Sequence, residues 1–219
     1  MMRIVAIDTS GRNGNVALCR GDAASFEVLG MTDIGGGTYS ARLMPCVADL
    51  LREAGLGKSE IDGFVVVDGP GSFTGLRVGL STVKGLCEAL NKPLATVLML
   101  EALATVYGKV GEDVTAVLDA GRGEVYVGEF KVTSQGAGVL DTSIVKLADF
   151  LAKHQARQSR VITTLPKVTG ATVVVPLKAD AIARIGLRKL LAGETVNPVT
   201  LDANYIRRSD AELYSLPKK

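Results

Sequence analysis

Two stretches of the chain, VAIDTSGRNGNVALC from Val5 and AVLDAGRGEVYVGEF from Ala116, follow one plan. Each runs from an apolar strand through an aspartate and small residues to Gly-Arg, a further glycine and an alternating strand. With one residue skipped, Asp8 aligns with Asp119, Gly11 with Gly121 and Arg12 with Arg122. Apolar runs split by a Gly/Ser/Asn cluster mark a hairpin, and a hairpin plan met twice in one chain marks a duplicated unit. The pattern predicts a chain of two related α/β halves, with residues 1–105 as the first and 106–219 as the second. No stretch rich in proline, serine or charge separates them.

The elements around these hairpins fit that plan. A third strand is expected near Ser25 to Met31. In YSARLMPCVADLLREAGL, Leu43, Val47, Leu50, Leu51 and Ala54 fall on one helical face, with Ser40 as the expected N-cap. Pro45 has to sit in the opening turns or kink this helix. IDGFVVVDGPG reads as a buried strand entering a glycine loop, and TGLRVGLSTVKGLCEALN as a long helix closed by Asn91 and Pro93. LEALATVYGKV looks helical, ATVVVPL is a strand, and KADAIARIGLRKLLAGE is a helix ended by Gly193. The last residues are expected to be disordered.

With 219 residues, 47% of them hydrophobic, the chain can bury a full core without staples. Its net charge of +2 and the lack of a long basic run give no compositional sign of direct nucleic-acid binding. Cys19, Cys46 and Cys87 are odd in number and lie in apolar or helical contexts, which predicts buried thiols in a reducing compartment. The short apolar start before Asp8 falls short of a signal peptide, and no apolar run approaches the roughly 20 residues that span a bilayer. A cytoplasmic location is the expectation. The single histidine, His154 in FLAKHQARQ, reads as a solvated residue at a helix end. One histidine leaves no paired-histidine metallopeptidase, no clustered Cys/His zinc site and no base beside a serine nucleophile.

The chemistry-bearing segment is DGPGSFTGLRVG. A glycine loop entering a helix can present N–H groups and the positive helix end to an anion. Leu76 and Arg77 stand where a phosphate loop needs Lys and Ser/Thr, and Thr74 breaks the dinucleotide pattern after Gly69 and Gly71. Gly75 and Gly79 share a helix face. Because glycine in a helix interior costs roughly 1 kcal/mol against alanine, such a face implies close packing, either within the chain or between subunits. Asp8 with Thr9 and Ser10, and Asp119 in the second half, sit at strand ends, which resembles the place where actin-like and sugar-kinase-like folds hold a nucleotide phosphate and its metal. They are equally ordinary turn residues.

IVAIDTS, YSARLMPCVADLLREAGL, DGPGSFTGLRVGLSTVKGLCEAL and LDAGRGEVYVGEF together resemble the TsaB (YeaZ) family of tRNA threonylcarbamoyladenosine biosynthesis proteins. The resemblance covers residues 4–130 and implies an α/β actin-like ATPase (ASKHA) fold of two RNase H-like halves with mixed sheets. It implies a scaffold subunit with no catalytic residue, metal or tightly bound cofactor of its own. The partners it implies are a TsaD-like catalytic paralogue, a TsaE-like ATPase, tRNA reached through an ATP-using complex, and a second copy when the chain is alone. Docking would use the first-half helices, with Ser40, Leu43, Val47, Gly75, Val78, Gly79 and Thr82 as contact residues, and Asp8, Thr9, Ser10 and Asp119 as a vestigial phosphate site. Tyr39 departs from the family's usual histidine, and VITTLP lacks the glycine turn common there. ANYIRRSDAE near the end resembles the family's usual close. The competing readings are an active actin-fold kinase or ATPase using Asp8 and Asp119, and a peptidase using Ser40 or Ser72, which lacks a base to activate it.

Overall fold

A computed structural model describes residues 1–154 and 159–202. The side chain of His154 and the tail segment ANYIRRSDAELYSLPKK lie outside the described residues, so the surface and disorder expectations for them are left there. Of the described chain, residues 1–102 and 175–202 form one compact unit and residues 103–174 a second.

The first unit is built on a five-stranded sheet of order β3-β2-β1-β4-β5. Its strands are β1 (Met2–Asp8), β2 (Gly14–Gly21), β3 (Phe26–Ile34), β4 (Gly63–Gly69) and β5 (Leu94–Leu98). The first three pair antiparallel, and β4 and β5 add on in parallel beside β1. Helices α1 (Tyr39–Glu53) and α2 (Phe73–Leu90) share one core with Val5, Ile7, Val16, Leu18, Phe64 and Val66. Side chains alternate along a strand, so Ile4, Ala6, Ala17, Cys19 and Val65 point to the other face, where α5 (Ala179–Leu191) packs. Covered on both sides, β1 and β4 are apolar runs without alternation.

The second unit repeats this order. Its sheet is β10-β9-β6-β7-β8, from β6 (Asp113–Gly121), β7 (Glu124–Thr133), β8 (Gly136–Lys146), β9 (Arg160–Thr163) and β10 (Thr172–Val173). β6 pairs antiparallel with β7, β7 antiparallel with β8, β6 parallel with β9, and β9 parallel with β10. This is the plan of β1 to β5, strand for strand, and the duplication seen in the sequence is the duplication of the fold. Arg122 and Gly123, both at positive φ, make the tight two-residue turn of the β6-β7 hairpin. Helix α4 (Leu147–His154) follows β8 as α1 follows β3, placing Phe150 in a core with Val117, Val125, Val127 and Val161. Helix α3 (Met99–Tyr107) carries the chain from the first unit into the second.

Three expectations need correction. The boundary at residue 105 assigned everything after it to the second half, whereas α5 belongs to the first unit because its apolar face, with Ile182, Ala183 and Gly186, covers that sheet. Ser40 is not the N-cap of α1: the cap is Thr38, whose hydroxyl donates instead to the Gly35 carbonyl at 2.7 Å. ATVVVPL contributes only the two-residue β10. The three cysteines are buried and free, as expected. Burial pushes the Cys19 and Cys87 thiols up to about 12, far from nucleophilic thiolates. Among the described residues no helix is long and apolar enough to cross a membrane.

The approach of α5 to the sheet depends on Gly186, where a Cβ would overlap the Val65 side chain. Gly186→Ala is expected to lower the stability measured by urea unfolding by about 1–3 kcal/mol, as overpacking does. Gly85 in α2 faces open space, so Gly85→Ala should instead raise it by about 1 kcal/mol.

Candidate functional site: the junction of the first turn with helix α2

β1 delivers Asp8, Thr9 and Ser10 to its carboxyl end, and all three are buried despite being polar. Asp8 Oδ1 accepts from the Ser10 N–H at 2.8 Å and from the Ser10 hydroxyl at 2.6 Å. Burial raises the Asp8 pKa above the ordinary carboxylate value, with the two Ser10 bonds opposing it. The carboxylate thus spends one oxygen on its own turn. Thr9 Oγ1 donates to the Gly75 carbonyl at 2.7 Å, and the Ser72 N–H donates to the Ser10 carbonyl at 2.7 Å.

These bonds explain the glycine loop. A Cβ at Gly75 would overlap the Thr9 carbonyl oxygen, one at Gly79 the Thr9 hydroxyl, and one at Gly71 the Ser10 carbonyl. The loop strips side chains from one face of α2 so that it can lie on the end of β1. Ser72 caps α2 through its hydroxyl, which accepts from the Gly75 N–H at 3.3 Å. The N–H of Ser72 is spent on Ser10 and that of Gly75 on Ser72, so two of the four donors at this helix start serve the chain's own contacts.

Tyr39 and two further glycines complete the junction. The Tyr39 hydroxyl donates to the Gly11 carbonyl at 2.9 Å, while its ring packs where side chains at Gly14 and Gly75 would have to go. Burial, then the nearby Asp8 charge, keeps this phenol a protonated donor. Gly36 lies against the Arg12 carbonyl. Asn15 accepts from the Ala179 N–H and so ties the start of α5 to β2. Gly14, Gly36 and Asn15 were not singled out in the sequence. The Tyr-for-His departure at position 39 was the one visible hint.

The other expected residues separate. Leu43 and Val47 are buried in the core, and Gly75 and Gly79 are filled by Thr9, so these four present nothing to a surface. Leu43 and Val47 share the core stripe with Leu50 because a helix lying on a sheet buries its apolar face against it. Ser40 is exposed, and Val78 and Thr82 are partly so. Their neighbours include exposed Met44 on α1 and exposed Phe73 on α2, with the Arg77 guanidinium stacked 3.7 Å from the Phe73 ring centroid. Asp119 makes the same turn as Asp8, accepting from Gly121 N–H at 3.1 Å, but half exposed and with Lys167 only 3.8 Å away. Asp8 and Asp119 share a motif and not a depth. Among the described residues no three metal-ligating side chains come together.

A family model described as TsaD, tRNA N6-adenosine threonylcarbamoyltransferase, matches residues 35–203. The Bacillus subtilis protein named tRNA threonylcarbamoyladenosine biosynthesis protein TsaB is 34% identical over 165 residues, 74% of this chain and 69% of the relative. Its Escherichia coli namesake is 34% identical over 139 residues, 62% of this chain and 58% of that protein. YeaZ from Pseudomonas aeruginosa superposes with a TM-score of 0.72 at 25% identity, covering 91% of this chain and 97% of that one. Together with the paired sheets, these matches identify the fold as an actin-like (ASKHA) fold of RNase H-like halves. The chain belongs to the TsaB (YeaZ) family.

Proposed function

We propose that the chain acts in tRNA threonylcarbamoyladenosine formation as a non-catalytic scaffold that docks a TsaD-like catalytic partner through the outward sides of α1 and α2. The observation that carries this reading is the closed junction. The Thr9 hydroxyl is spent on the Gly75 carbonyl, the Ser10 hydroxyl on Asp8 and the Ser72 N–H on the Ser10 carbonyl, while the opposite side of the same helix leaves Phe73, Arg77 and Ser81 exposed. The inward side is used up by the fold and the outward side is exposed. An aromatic ring, a methionine and an arginine are residue types that anchor interfaces. In this reading Ser40, Val78 and Thr82 remain contact residues, joined by Met44 and Phe73. ATP, a TsaE-like ATPase and tRNA enter through the complex, and a second copy covers the same face when the chain is alone.

Light scattering on a size-exclusion column, of the chain alone and mixed with the TsaD-like protein of its own organism, tests the reading. The expected result is a homodimer alone and a heterodimer in the mixture. Met44→Glu and Thr82→Arg together place charge on exposed or half-exposed positions and should weaken partner binding at least tenfold, with the unfolding midpoint unchanged. Wild-type affinity in that variant would remove α1 and α2 as the docking face. Gly79→Glu is unsuitable as a probe, because it drives a side chain into Thr9.

The isolated chain should turn over no ATP. Metal-dependent hydrolysis that disappears in Asp8→Asn would instead favour the kinase or ATPase reading. The amide retains an oxygen for both Ser10 bonds, so this variant should keep the fold.

A further inference from the structure

Strand β4 carries one charged residue that its ladder leaves out. Val67 pairs with Val97 and Gly69 with Leu98, which makes Asp68 the extra residue of a β-bulge. A bulge releases its residue from strand pairing and re-aims the side chain. The Thr96 side chain hydrogen-bonds the Asp68 carboxyl, but Oδ1 is sealed from solvent without a partner. Such an oxygen is costly to bury and costlier when it carries charge.

The charges around it relieve only part of that cost. Lys189 of α5 is the cation acting on Asp68, yet its Nζ is held by the Thr96 carbonyl at 3.1 Å and by Glu101 Oε2, at the start of α3, at 2.9 Å. Lys189 and Glu101 are themselves mostly buried, at 24% and 14% side-chain exposure, so solvent screens this pair little. From α2, which also packs on β4, Arg77 stacks on Phe73 and Lys84 donates to the Leu201 carbonyl. From β1, Asp8 is engaged with Ser10. Two carboxyl groups share one ammonium, and Glu101 holds it.

We propose that Asp68 is a proton-linked element of the first unit, carrying a proton in the folded chain in mildly acidic solution and ionising at higher pH at the expense of stability. Burial, the largest influence, raises its pKa and Glu101 adds to it, while Thr96 and Lys189 oppose. An acid whose folded pKa lies above its unfolded value keeps the full stability below the unfolded pKa and loses it as pH rises through the folded one. The residue directly precedes Gly69–Ser72, the segment that launches α2.

The experiment is thermal unfolding of the whole chain and of Asp68→Asn from pH 4 to 8. Asp8 contributes a slope of the same sign, so the difference between the two proteins is the quantity to follow. The midpoints should nearly coincide at pH 4, and the variant should lie higher at pH 8 by about 3 °C, the order expected for a change near 1 kcal/mol in a chain of this size. A variant less stable than the parent at pH 8, or a difference that does not change with pH, would overturn the proposal. Carboxyl-carbon NMR of the unmodified chain gives a second readout independent of the variant's folding. Asp68 should titrate above the ordinary value of about 3.9, and Glu101→Gln should lower that midpoint. Titration at the ordinary value, or a midpoint indifferent to Glu101→Gln, would equally overturn it.

Discussion

The first unit depends on the contact between the end of β1 and the glycine face of α2. Thr9 reaches the helix twice, with its hydroxyl donating to the Gly75 carbonyl and its own atoms occupying the space that side chains at Gly75 and Gly79 would need. That proximity sets how close α2 lies to the sheet. The spacing then decides what fits around it: the Tyr39 ring against Gly14, the Gly36 loop against Arg12, and the core of Leu43, Val47, Leu80 and Val83 between helices and strands. Two interior glycines cost helix stability, roughly 1 kcal/mol each. Hydrogen bonds among buried partners, each contributing on the order of 1 kcal/mol net, offset that cost. The glycine-rich segment resembles an anion loop because both structures need backbone at close range. Here the close neighbour is another strand end.

The duplication shows how one sequence plan gives two outcomes. Both hairpins bring an aspartate to a strand end and fold it back onto an N–H two residues later. In the first unit a long helix, a glycine loop and Tyr39 close over that turn and bury Asp8. In the second unit β9 ends in Thr163, whose hydroxyl donates to the Val117 carbonyl, and no glycine loop follows. Asp119 is left half exposed beside Lys167. Depth, and not the motif, separates the chemistry open to the two carboxylates.

Much of this was legible in the sequence because periodicity reports burial. The β1-β2 and β6-β7 hairpins, α1, α2 and α5 stand out by apolar spacing and by their end signals, including Asn91, which closes α2 in the left-handed conformation. β5 and β8 did not stand out. β5 is five residues that run straight into α3, so LATVLMLEALATVY presents one apolar run with no break to mark the change of period. β8 is an edge strand whose burial hardly alternates, which removes the period-two signal. The placement of α5 with the first sheet is a long-range fact: its pattern shows one apolar face but cannot say which sheet that face covers.

The helix faces were the harder part of the site. A stripe containing Leu43, Val47, Leu50 and Leu51 is equally consistent with a core and with a partner surface, since both bury apolar side chains. What separates them is the three-dimensional count of faces. A helix lying on a sheet has one side committed to that sheet, and on α1 this side takes the whole apolar stripe. Only the remaining side can meet another protein, and it is composed of Ser40, Arg42, Met44 and Ala48, a mixed surface of the sort that a separable subunit can expose to water. On α2 the same division falls between the glycines turned to Thr9 and the Phe73–Arg77 stack turned outward. The strongest apolar residues hold the fold, and the exposed faces of α1 and α2 consist of what the fold leaves over.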